Sequence, residues 1–154
     1  MSLARRIAGQ PRPRKPHRGG WNAWVPVIDQ GGVVSASNQY GVWRLCDGLL
    51  VANTVLTVTG TGTAGTVILI ELPVPAFYPG AQFRPIVGEA SIFNASGPAR
   101  HDLHAHLNSS DDLRFSFCAS GTNLWANETG NGVFTEALAN GDVIRCRAAY
   151  EPDP

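Results

Sequence analysis

The chain has 154 residues, 44% hydrophobic and only 16% charged, with 17 glycines and 11 prolines. That length sets one core-bearing domain, with or without a tail. A charged fraction below the usual ~25%, and Lys15 as the only lysine, exclude a coiled coil or long-helix bundle. The net charge of zero is segregated: residues 1–20 carry six cations and no acid, and the rest carries six cations and all 12 acids.

Residues 1–20 read as a basic arm holding Arg5, Arg6, Arg12, Arg14, Lys15 and Arg18. Pro11, Pro13 and Pro16 alternate with the cations and favour an extended, polyproline-like backbone. Six cations and three prolines cannot bury a core, so the arm is expected to order only on a partner. Arginine suits two-point pairing with carboxylates, which favours a strap across an acidic protein surface. Nucleic acid is the rival partner and a solvated tail the plain alternative. Arg5-Arg6 is followed by no apolar segment, so no export signal is expected. The longest apolar run, Val67 to Ile70, is far short of the ~20 residues that span a bilayer. Gly19-Gly20 marks a hinge, and residues 21–154 form the body.

The body has a period of two. Strands are expected over 22–28, 33–37, 39–46, 48–59, 66–72, 84–94, 100–107, 112–118 and 143–150. Leu113, Phe115 and Phe117 point to one face of their strand, and Ile144, Cys146, Ala148 and Tyr150 to one face of the last. Residues 66–72 read as covered on both faces except at Glu71. Turn signals separate the runs, among them Cys46-Asp47-Gly48 and Asn140-Gly141-Asp142. Gly60 to Gly65 lacks the Lys-Ser/Thr of a phosphate loop and reads as a hairpin tip. Residues 119–139 read as a long loop, and Glu151 to Pro154 as a terminal stop. The pattern predicts an all-β fold, an antiparallel sandwich or jelly roll of about eight strands, with the N-terminal arm outside it.

Chemistry-bearing residues are few. His101 to His106 puts Asp102, His104 and His106 on one face of a strand. Two imidazoles could contribute to a metal site, but a second element or a symmetry mate would have to complete it. The simpler reading is a polar outer face. No metal, cofactor or catalytic residue is expected. Asp111-Asp112 suits a turn start, and a hydrolase would have to draw on His104, His106 or Asp112. Cys46, Cys118 and Cys146 lack metal or redox spacing, and each lies in an apolar or alternating run that predicts a buried free thiol. Strict alternation would nevertheless turn Cys118 outward. Free thiols fit folding in a reducing cytoplasm. Trp43 reads as core, Trp21 and Trp24 as packing at a subunit contact, and Trp125 as the candidate for surface recognition.

Two stretches carry a resemblance. Thr57 to Thr66 is a Thr/Gly-rich tip that runs into Val67-Ile-Leu-Ile-Glu-Leu-Pro-Val-Pro75. The chain closes with Asn140-Gly-Asp-Val-Ile-Arg-Cys-Arg-Ala-Ala-Tyr-Glu151. Together they resemble the C-terminal β-sandwich module of bacteriophage minor tail proteins, particularly from phages of actinobacteria. The resemblance covers about residues 34–151 and implies a non-enzymatic virion subunit, assembled in the host cytoplasm with copies of itself and other phage proteins. A trimer is common among such appendages, and in one His104 and His106 would meet at the axis. In that family the module follows a long fibrous or helical part, whereas here a 20-residue arm precedes it. A capsid decoration protein and a module binding host glycans through Trp125 are the alternative readings.

Overall fold

A computed structural model describes residues 20–80, 85–97, 99–117, 134 and 136–154. The alternation of the last strand is realised there: Ile144, Cys146, Ala148 and Tyr150 are buried, while Arg145 and Arg147 face solvent. No described residue is helical, and the fold is all-β.

Ten strands form. They are β1 (Asn22–Ala23), β2 (Ile28–Asp29), β3 (Val33–Val34), β4 (Ala36–Cys46), β5 (Leu49–Val58), β6 (Leu69–Glu71), β7 (Ile86–Asn94), β8 (Ala99–Leu107), β9 (Asp112–Phe117) and β10 (Val143–Tyr150). All belong to one sheet, in the order β1-β4-β5-β10-β7-β8-β9-β6-β2-β3, with every pair antiparallel. The sheet curls until its ends approach, since Ser35 alone separates β3 at one end from β4 near the other. Residues 24–27 cross between the same two regions, from β1 against β4 to β2 against β6. Four residues span only about 14 Å, so the two flanks of the sheet are held close.

The inner face is the core. Leu50, Leu56, Ile70, Ile92, Leu103, Leu113, Phe115 and Ile144 are fully buried there, one or more from each long strand of the middle. Trp43 joins them as expected. The β4–β5 hairpin turns on Asp47 (φ 51°) and Gly48 (φ 85°), the two left-handed residues of a tight primed turn.

Several expectations are corrected. Residues 22–28 and 33–37 are not continuous strands but short pairings broken by the crossing, because the chain must change edges there. Gly60–Gly65 is not a hairpin tip, since β5 pairs with β4 and β10 and never with β6. It is a connection whose amides donate elsewhere: Gly62 to Leu138, Thr63 to Gln30 and Gly65 to Phe134. Residues 151–154 are more than a stop. Phe77 donates its N–H to the Glu151 carbonyl and Asp153 to that of Pro75. Trp24 is buried in the core, which removes it from any surface contact. Trp21 stays 46% exposed and lies against the Arg44 guanidinium, 4.6 Å from the ring centroid. Cys146 is buried, but Cys46 is exposed because it sits at the lip of the Asp47-Gly48 turn, beyond the reach of the core. Cys118 and Trp125 lie outside the described residues, as do arm residues Arg5 to Arg18.

Candidate functional site

The strand carrying the histidines alternates as its sequence predicts. His101, Leu103, Ala105 and Leu107 are buried, and Asp102, His104 and His106 share the outer face. The His104 and His106 rings meet edge to face, 6.2 Å between centroids. A ring nitrogen of His106 is hydrogen-bonded to the Ser116 hydroxyl on β9. Among the described residues no three His, Cys, Asp or Glu side chains converge as metal ligands. Within one chain the pair therefore supplies at most two donors.

Sheet order assembles more than the local sequence shows. β10 lies between β5 and β7, and β8 pairs on the far side of β7. One register row across the outer face reads Tyr40, Val55, Arg145, Ser91, Asp102. The next reads Asn53, Arg147, Glu89, His104, Ser116. Neighbouring members of a row stand about 5 Å apart. These rows, as far as His104 in the second, line an open cleft of about 570 Å³. Its walls include Tyr40, Asn53, Glu89, Arg100, Asp102, His104, Arg145 and Arg147. Arg100 Nε donates to Asp102 Oδ1 at 2.9 Å, so those two charges answer each other. The Arg145 and Arg147 side chains make no ion pair or hydrogen bond with a described residue. Gly88 sets how closely β10 approaches β7 here, because a Cβ at that position would stand 2.0 Å from the Arg147 carbonyl oxygen.

A second charged feature lies at the other end of the sheet. Glu71 on β6 is in register with Asp112 at the start of β9. Asp111 precedes it, and Asp29 stands on β2 beside β6. Burial pushes the Glu71 carboxyl above its ordinary value, and the Asp112 and Asp111 charges push it further. Asp112 is raised by burial and by Asp111 and Asp29, partly offset by the Ser109 hydroxyl that donates to it. The amides of Asp111 and Asp112 both donate to Ser109 Oγ, so Ser109 opens the turn and Asp111-Asp112 closes it into β9 rather than starting it. Exposed valines adjoin the acids. Val33 is in register with Asp29, and the Val27 carbonyl accepts from the Glu71 amide. Val25, Val27 and Val33 are 73%, 41% and 77% exposed.

The two stretches that carry the family resemblance also touch. Tyr150 Oη donates to the Val74 carbonyl at 2.8 Å, joining the closing strand to Leu72-Pro73-Val74-Pro75. Asp142, 1% exposed, accepts from Ala95 and Ala139 amides, so the Gly141-Asp142 turn holds two loops at once. Comparison with family models, with curated proteins and with solved structures finds no match to this chain.

Proposed function

We propose that this chain is a non-enzymatic structural subunit of a bacteriophage virion, of the minor tail type, tethered through its basic arm. The carrying observation is the edge where Val27 and Val33 lie exposed beside Asp29, Glu71, Asp111 and Asp112, with Val25 exposed two residues before Val27. Apolar side chains next to mutually repelling carboxylates form a surface whose complement is an extended, cationic, proline-bearing segment. The first 20 residues have that composition. Prolines would lie on the valines and guanidinium forks on the carboxylates, with little entropy left to lose on ordering. The arm of one copy laid on the edge of the next, or of another virion protein, builds an assembly without a large flat interface.

Deletion of residues 2–18 tests this reading. The truncated chain should fold with an unchanged melting temperature and fail to enter particles; normal incorporation would overturn the tether. A capsid decoration subunit would use the same arm and edge, and the chain's position in an imaged particle separates the two.

A further inference from the structure

We propose that the outer-face cleft over β5, β10, β7 and β8 is a binding site for a carboxylate-bearing sugar, a uronic acid within a short glycan. The site lies over other strands than the acidic edge on β9, β6 and β2, and the inference does not depend on the tether.

Arg145 and Arg147 stand at i and i+2 on β10, about 7 Å apart along one strand. Both side chains are exposed and line the cleft without a described ion-pair or hydrogen-bond partner of their own. A guanidinium binds a carboxylate through two parallel hydrogen bonds, so each arginine is a ready receptor for one. The rest of the lining decides what carries that carboxylate. Glu89 and Asp102 accept hydrogen bonds, Asn53 donates and accepts, and the half-exposed Tyr40 ring offers an apolar plate. Sugar hydroxyls donate to carboxylates, and the C–H face of a pyranose packs on an aromatic ring. A volume of about 570 Å³ is that of a site for a ligand of a few rings.

Other anions fit less well. A nucleic-acid track wants one sign of charge and a series of stacking aromatics. Here Glu89 and Asp102 interrupt the arginines, and Tyr40 and His104 are the two ring-bearing side chains in the described lining, too few for a stacking series. An acidic peptide would bind best by adding to a free strand edge. β5, β10, β7 and β8 are each already paired on both sides.

The test titrates the full chain with tri-galacturonic acid, following backbone amide signals by NMR. Maltotriose serves as the neutral sugar and hexaglutamate as the acidic non-sugar. Saturable shifts at Asn53, Ser91, Arg145 and Arg147 are expected with tri-galacturonic acid alone. The Arg145→Gln, Arg147→Gln variant keeps the basic arm, so any weakening isolates the cleft. It should bind at least about tenfold more weakly, the scale of a lost charged hydrogen bond, with an unchanged melting temperature because both side chains are exposed. Lack of saturable shifts at those residues would overturn the proposal. So would equal affinity in the variant, or equal affinity for maltotriose or hexaglutamate.

Discussion

Gln30 and Leu138 lie 108 positions apart, yet the Gln30 side-chain oxygen accepts the Leu138 backbone N–H at 2.7 Å. The same amide donates through Nε2 to the Glu136 carbonyl, and the Gln30 backbone carbonyl accepts from Thr63. Gln30 is 1% exposed. One buried residue thus ties β2, the Gly-rich connection and the approach to β10 together, the connection through its backbone and the approach through its side chain. Gln30→Ala leaves two backbone groups without partners and should cost about 2–4 kcal/mol in urea unfolding. Gly62→Ala attacks the same joint from the other side, since its Cβ would fall 1.9 Å from Gln30 Oε1. It should cost about 1–3 kcal/mol as an overpacking change. The two sites share a contact, so the double variant should lose less than the sum. Gly97→Ala, with nothing within 4 Å of its Cβ, is the neutral control.

The Glu71–Asp112 pair makes stability respond to acid in an unusual direction. A carboxyl whose pKa is higher in the folded than in the unfolded chain takes up its proton more readily when folded. Both groups therefore weaken the fold at neutral pH. The penalty is relieved as pH falls through the raised values toward the ordinary 4.5 of Glu71 and 3.8 of Asp112. Glu71→Gln should accordingly stabilise the chain at pH 7, by less than about 1 kcal/mol after solvent screening. The advantage should vanish near pH 4, as read from melting curves across that range. A variant less stable than wild type at pH 7 would contradict the repulsion.

The thiols should separate cleanly. Cys46 is exposed, whereas burial pushes the Cys146 thiol up to about 12, which leaves almost no thiolate at neutral pH. In a Cys118→Ser background, a thiol-exchange reagent should titrate one cysteine in the folded protein. The second should appear only after denaturation. Two fast-reacting thiols in the native state would show that β10 does not bury Cys146.

Much of this was legible in the sequence where a strand is long. Period two assigns the inner and outer faces of β8 and β10 residue by residue, and Asp47-Gly48 declares its own turn. The crossing segment was not legible, because pairings of two residues leave no period to read. The connection at Gly60–Gly65 has hairpin composition, and nothing local says that its partners are Gln30, Phe134 and Leu138. Cys46 lies in an apolar run whose average hides its place at a turn. The cleft shows why a site can escape even a correct strand assignment. His104 and Arg147 fall on predicted outer faces and Glu89 within a predicted strand, but only the order β5-β10-β7-β8 sets them in one row.

The closing strand and its four-residue extension form the last joint that can be tested. Tyr150 is 2% exposed, and burial raises its hydroxyl pKa despite the bond to Val74, so it remains a neutral donor throughout the working range. Tyr150→Phe keeps the ring and leaves the Val74 carbonyl short of its donor. The expected cost is about 1 kcal/mol, or about 2–4 °C in melting temperature for a chain of this size. Removing residues 151–154 takes away a different set of bonds, Phe77 N–H to Glu151 and Asp153 N–H to Pro75. The Phe77 amide should then exchange with solvent far faster, while the amides of β10 within the β5 and β7 ladders stay protected. If Phe77 exchange is unchanged by the truncation, the C-terminal residues do not hold the Leu72–Pro75 segment in solution.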